Sequence, residues 1–254
     1  MAKGEVADLN LLETKELTKS FGGLTAVDHV NFQVERGELR AVIGPNGAGK
    51  TTFFNVIAGR IPPTKGEIWF KGENITHLPT YVITKKGIGR SYQITNIFPK
   101  LTVFENIRLA AQAIEVTYNF WENVMFMDSI NRKVMEILEK LKLIDQKDIR
   151  AANLPHGLQR HLEIGIALAS QPELLLLDEP TAGMTNEETE RMMELIDEIS
   201  KGLTIVLVEH DMKFVMSVSK KITVLHEGRV LSEGTPEEIQ KSEEVQRVYL
   251  GKQK

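Results

Sequence analysis

Gly44-Pro45-Asn46-Gly47-Ala48-Gly49-Lys50-Thr51-Thr52 is the stretch from which the rest of the chain is read. It matches G-x-x-x-x-G-K-[ST], follows an apolar run ending at Ile43 and opens a helical pattern over 51–58. Glycines let successive backbone N–H groups turn toward phosphate oxygens, and a helix start adds the positive end of its dipole. Lys50 supplies a full charge for β- and γ-phosphates, Thr51 a hydroxyl where Mg²⁺ would sit, and Thr52 a contact for an α-phosphate. A glycine-rich turn that binds nothing is the bland alternative; the strand before the motif and the helix after it count against that reading.

Such a cradle needs an acidic strand end as its second half. The four leucines at 174–177 run directly into Asp178 and Glu179. Side chains of adjacent strand residues diverge, so the two acids can serve different tasks. Asp178 is expected to hold Mg²⁺ through its water shell, and Glu179 to polarise the water that attacks the γ-phosphate. Alone, a strand ending in Asp-Glu-Pro reads as an exposed turn; paired with 44–52 it reads as chemistry.

Working outward, short β-branched runs alternate with helical patterns, so the class is α/β with a largely parallel sheet. Strands are expected at 38–43, 174–178, 204–208 and 222–225; the unalternating runs at 174–177 and 205–208 imply cover on both faces. Strand signals without helix over the first forty residues (25–34 among them) and at 66–71 predict a small antiparallel sheet beside the core. From about 95 to 170 helix signals take over. Thr102 and Glu105 have capping-box spacing, and Ile130, Val134, Ile137, Leu138 and Leu141 share one face of a helix that Ser129 could cap. In the tail Thr235, Pro236 and Glu238 start a helix, and 241–250 continues in helical character.

The 254 residues suffice for one large domain. With 31 basic and 35 acidic residues the net charge is −4 and the pI about 5.9, which argues against a nucleic-acid-coating surface. Cysteine is absent, which excludes disulfides, thiolate metal sites and cysteine nucleophiles. No uninterrupted apolar run exceeds four residues, against roughly 20 for a spanning helix. The first ten residues, with Lys3, Glu5 and Asp8, lack the apolar stretch of a signal peptide. A cytoplasmic chain is expected.

Five landmarks together resemble the ATP-binding cassette family over nearly the whole chain. Beyond 44–52 and Asp178-Glu179, Gln93 looks like the family's Q-loop glutamine, 43 residues after Lys50, and His210 like its switch histidine, 31 residues past Glu179. Phe21 stands where the family stacks an aromatic on adenine. The resemblance implies a P-loop NTPase, RecA-like core over 10–92 and 171–234 that includes the antiparallel β subdomain. It also implies a helical subdomain at 93–170 and a tail at 235–254, all within one nucleotide-binding domain. It implies ATP and Mg²⁺ as cofactors, His210 as a hydrogen-bond donor to the γ-phosphate, and Gln93 as the residue that reaches Mg²⁺ or the attacking water.

Two segments depart from the family pattern. Leu154-Pro155-His156-Gly157-Leu158-Gln159-Arg160 replaces the usual Leu-Ser-Gly-Gly-Gln, so Pro155 stands for a serine and offers neither hydroxyl nor N–H. Thr185 stands where an aspartate is common, and with Glu188 it has capping-box spacing. In the family the first segment and the helix behind it, here expected at 161–170, face ATP bound to another subunit, so a catalytic unit needs a second cassette, identical or related. The phrasing of 89–111, 209–216 and 249–251 is similar to ATP-binding subunits of branched-chain amino-acid importers. That similarity implies two integral membrane permeases, with a coupling helix received beside Gln93 and Phe98. It further implies an external solute-binding protein and a place at the inner face of the membrane. A soluble nucleotide-switched clamp on ribosomes or DNA is the alternative, and a P-loop kinase the third reading.

Overall fold

The computed structural model describes residues 10–91, 97–114 and 123–250. In chain order the elements are β1 (Asn10–Phe21), β2 (Leu24–Glu35), β3 (Leu39–Ile43), α1 (Lys50–Ile57), β4 (Lys65–Phe70), β5 (Glu73–Asn74), α2 (Thr80–Lys86) and β6 (Ile88–Arg90). Next come α3 (Val103–Ile114), α4 (Asn123–Lys140), α5 (His156–Leu168), β7 (Leu174–Asp178), α6 (Asn186–Ser200), β8 (Thr204–Val208) and α7 (Met212–Val218). The chain then adds β9 (Lys221–His226), β10 (Arg229–Gly234), α8 (Pro236–Lys241) and α9 (Glu243–Leu250).

The larger sheet has the order β10-β9-β3-β8-β7-β6. Every neighbouring pair from β9 to β6 is parallel, and β10 adds an antiparallel edge. Its central strands show why their sequences do not alternate. Leu175 and Leu177 of β7 face one apolar cluster while Leu174 and Leu176 face the other, and Ile205/Leu207 and Val206/Val208 of β8 divide in the same way. The side-chain period of two is intact; both faces are simply buried. One face is covered by α3 to α7, the other by α1 and the second sheet. That second sheet, β2-β1-β4-β5, is antiparallel throughout, as the first seventy residues predict.

Three local expectations are corrected. Ser129 lies inside α4 rather than at its start: the helix already runs from Asn123, six residues upstream. The tail helix is broken at Ser242, whose extended ψ of 113° ends α8 and whose Oγ accepts from the Val245 N–H, starting α9. The helix behind 154–160 starts at His156 rather than at 161. A three-residue strand, β6, goes unanticipated because Ile-Gly-Arg is too short to show a period. The capping boxes at Thr102, Thr185 and Thr235 all form, each with its glutamate three residues on.

Candidate functional site

Parallel pairing sends β3, β8, β7 and β6 side by side with their carboxyl ends at one edge. From that edge β3 delivers 44–52, β8 delivers Glu209 and His210, β7 ends in Asp178 and Glu179, and β6 leads through Ser91 toward Gln93. Ligands of open α/β sheets bind at this carboxyl edge. Gln93 itself lies outside the described residues.

The loop at 44–52 is shaped by close backbone approach. At Gly49, φ is 97° and a Cβ would sit 2.1 Å from the Ala26 carbonyl oxygen; at Gly44 it would sit 2.2 Å from that of Leu225. No other residue fits at either position. Pro45 accepts from the Ala48 N–H, and Ala48 is buried, whereas Asn46, Gly47 and Thr51 are exposed. Gly49 caps α1 without any side-chain acceptor, so the leading N–H groups, those of Thr51 and Thr52 among them, are not taken by a capping side chain. Buried Lys50 donates to the Gly44 and Pro45 carbonyls at 2.6 and 3.1 Å. Burial pushes its ammonium pKa down, while Glu179 and Asp178 nearby pull it back up.

Asp178 is 2% exposed and its Oδ2 accepts from Arg90 Nη2 at 3.0 Å. The other arm of that guanidinium reaches Asn55 of α1 at 2.9 Å. Oδ1 of Asp178 is buried with no hydrogen-bond partner. Burial pushes its carboxyl pKa up, against the pull of Arg90. Glu179, half-buried, leaves the sheet with φ at 47°; its N–H donates to Val208 and its carbonyl accepts from Ala182. His210 is exposed, and Asp211 after it caps α7 by accepting from the Lys213 and Phe214 N–H groups.

Among the described residues no cluster of three or more His, Cys, Asp or Glu could hold a metal unaided. A hard cation here would complete its oxygen shell from phosphate and water, with Thr51 and Asp178 as protein donors. The orphaned Oδ1 of Asp178 and the exposed Thr51 hydroxyl fit that requirement. Phe21 sits at the β1–β2 turn, 49% exposed, with the Lys19 ammonium 5.1 Å from its ring. It is a displayed aromatic rather than a core residue, on the hairpin whose Ala26 packs against Gly49.

In the departing segment Pro155 is the exposed N-cap of α5. The Gly157 N–H donates to Glu188 Oε1 at 3.2 Å, and Glu188 Oε2 closes the box with the Thr185 N–H at 2.9 Å. A Cβ on Gly157 would lie 2.7 Å from Glu188 Oε1, so any larger residue here would push the Glu188 carboxylate aside. These hydrogen bonds, chiefly those from Thr185, hold the Glu188 carboxyl below the usual range. Three residues escaped the sequence reading: Arg90, Glu209, and Glu188 in its second bond. A charged residue ending the apolar strand at 204–208 was the available signal for Glu209; Arg90, at the end of a three-residue strand, had none.

The fold and this edge define a P-loop NTPase architecture, with a Gly-rich loop set beside an acidic strand end. Comparison narrows the class. The ABC transporter profile matches residues 27–182, and that of the branched-chain amino acid ATP-binding cassette transporter matches 229–254. The chain belongs to the ABC transporter family. It is 39% identical over 250 residues to the high-affinity branched-chain amino acid transport ATP-binding protein LivG of Escherichia coli K12, covering 95% of this chain and 98% of that one. BraF of Pseudomonas aeruginosa, of the same description, matches equally in identity and coverage. A cassette solved in its ADP conformation superposes with a TM-score of 0.84 at 27% identity, covering 96% of this chain and all of that one. A dimeric cassette bound to ADP and Pi superposes at 0.75 and 27%, covering 89% and 98%.

Proposed function

We propose that this chain is the ATP-binding and ATP-hydrolysing subunit of an importer of branched-chain amino acids, working as a dimer of cassettes beneath membrane permeases. The juxtaposition of Lys50, at the start of α1, with Asp178 and Glu179, at the end of β7, carries the chemistry. Full-length likeness to proteins named for branched-chain amino acid transport supports the cargo class. No helix among the described residues is long and apolar enough to cross a membrane, so passage of cargo falls to other subunits. A clamp on ribosomes or DNA finds no such support, and a kinase leaves 154–160 and His210 without a task.

In this reading Lys50 exchanges the Gly44 and Pro45 carbonyls for β- and γ-phosphate oxygens, and the uncapped start of α1 receives the same anion. Phe21 offers a stacking face to the adenine. Mg²⁺, when bound, neutralises charge on the β- and γ-oxygens. Thr51, Asp178 and Gln93 are the residues that would hold it. Glu179 accepts a hydrogen bond from the attacking water, and His210 donates one to the γ-phosphate. Residues 93–170 form the part that moves against 10–92 and 171–234, and a solute-binding protein acts outside the membrane.

The test uses Glu179→Gln in the full-length chain. It should retain ATP binding, lose turnover, and co-purify from detergent extracts with permeases and a second cassette. Lys50→Ala should instead raise the Kd for ATP about ten- to a hundredfold, the value of a charge-assisted hydrogen bond. Turnover unchanged in Glu179→Gln would reject that residue's role; co-purification with ribosomal or DNA-associated proteins would reject the transporter.

A further inference from the structure

The five residues of β8 are all buried, and the chain follows them with an acid, Glu209, that is 0% exposed. Among the described residues no lysine or arginine pairs with it. A carboxylate in such a place is tolerated only if its oxygens are fully occupied by donors. Those donors come from two different loops. Oε1 accepts from the Thr181 N–H at 2.9 Å and the Thr181 hydroxyl at 2.5 Å. Oε2 accepts from the His210 N–H at 3.0 Å and lies 3.5 Å from His210 Nδ1.

Thr181 is two residues past Glu179, whose left-handed φ is strained for a side chain of its size. Such strain persists where the surroundings over-determine the backbone. Here the Glu179 N–H is tied to Val208, the Glu179 carbonyl to Ala182, and the turn itself to Glu209 through both donors of Thr181. The loop with Glu179 leaves β7 and the loop with His210 leaves β8, so Glu209 spans the gap between neighbouring strand ends.

We propose that Glu209 is a positioning residue that fixes Glu179 and His210 relative to one another from beneath the site. This rests on the reading of Glu179 as the water-polarising group. Glu209 touches neither nucleotide nor water in this role; it acts through the backbone of its two neighbours. Its side chain needs two acceptor oxygens, one for each loop. A glutamine of equal size offers one oxygen and turns an NH₂ donor toward either the Thr181 donors or the His210 N–H, so one tie is lost.

The test is steady-state ATPase kinetics on the full-length chain in its assembled transporter, with ATP affinity and thermal unfolding measured alongside. Glu209→Gln should lower kcat tenfold or more while KM and Kd for ATP stay within twofold. Thr181→Val, which removes only the hydroxyl donor, should lower kcat less, and the double variant should cost no more than Glu209→Gln alone. A wild-type kcat in Glu209→Gln, or a KM that rises as kcat falls, would overturn the proposal. Should the glutamine variant not fold, Thr181→Val decides: lowered kcat at unchanged KM supports the brace, and wild-type kcat rejects it. Glu179→Gln, run in parallel, separates the two claims. If it keeps turnover, the catalytic reading and the brace that rests on it both fall. If it loses turnover while Glu209→Gln does not, the brace alone falls.

Discussion

Arg90 and Asp178 are 6% and 2% exposed and form an ion pair at the carboxyl edge of the larger sheet. Removing one partner of a buried pair leaves the other charge without compensation. Arg90→Ala is therefore expected to destabilise the fold by about 3–5 kcal/mol in urea unfolding, and a loss below about 1 kcal/mol would show the pair to be dispensable. Arg90→Lys should lose less, since it keeps a charge beside Asp178 but not the fork that also reaches Asn55. At this scale, legibility followed contiguity. The loop at 44–52 and the acids at 178–179 could be read because each is an unbroken string with one chemical meaning. Arg90 could not, because its partners stand 35 and 88 positions away.

Element boundaries were readable wherever a cap is local. Thr185 closes its box with Glu188 and starts α6, so Thr185→Ala should cost about 1 kcal/mol, or roughly 2–4 °C in Tm by calorimetry. An unchanged Tm would mean that the cap contributes nothing. α5 brings a different dependence, because buried His161 packs its ring with Nδ1 3.3 Å from the Leu141 carbonyl. Burial pushes its pKa below 6.5 in the folded chain. The unfolded chain then takes up a proton near pH 6.5 that the folded chain accepts only at lower pH. Stability is present above that value and is lost as pH falls below it. Unfolding free energy measured from pH 7.5 to 5.5 should decline less steeply in His161→Gln; an identical slope would remove His161 from the account. Ser129 shows where cap reasoning stops: a serine before an apolar stripe marks a helix start only if the residues upstream do not already continue the helix.

For the whole molecule, the departing segment bears on assembly. Pro155 begins α5 without a hydroxyl, and the Gly157 N–H behind it is already bonded to Glu188. In the dimer reading, this face completes the ATP site of another subunit less well. Pro155→Ser should therefore raise ATP turnover of the assembled transporter about fivefold, the worth of one hydrogen bond of roughly 1 kcal/mol; unchanged turnover would refute the idea. The α/β class, the match of 44–52 to a phosphate-loop pattern, the acidic pair that ends the 174–177 run and the helical stretch after 95 were legible in the sequence alone, because periodicity, capping and motif spacing are local properties. The tertiary structure decided which strand ends meet. The order β3-β8-β7-β6 sets 44–52, His210, Asp178 and Arg90 along one edge, lets Glu209 reach Thr181, and docks Gly157 on Glu188. No window of sequence contains that order, since it follows from how all the strands share buried faces and backbone hydrogen bonds at once.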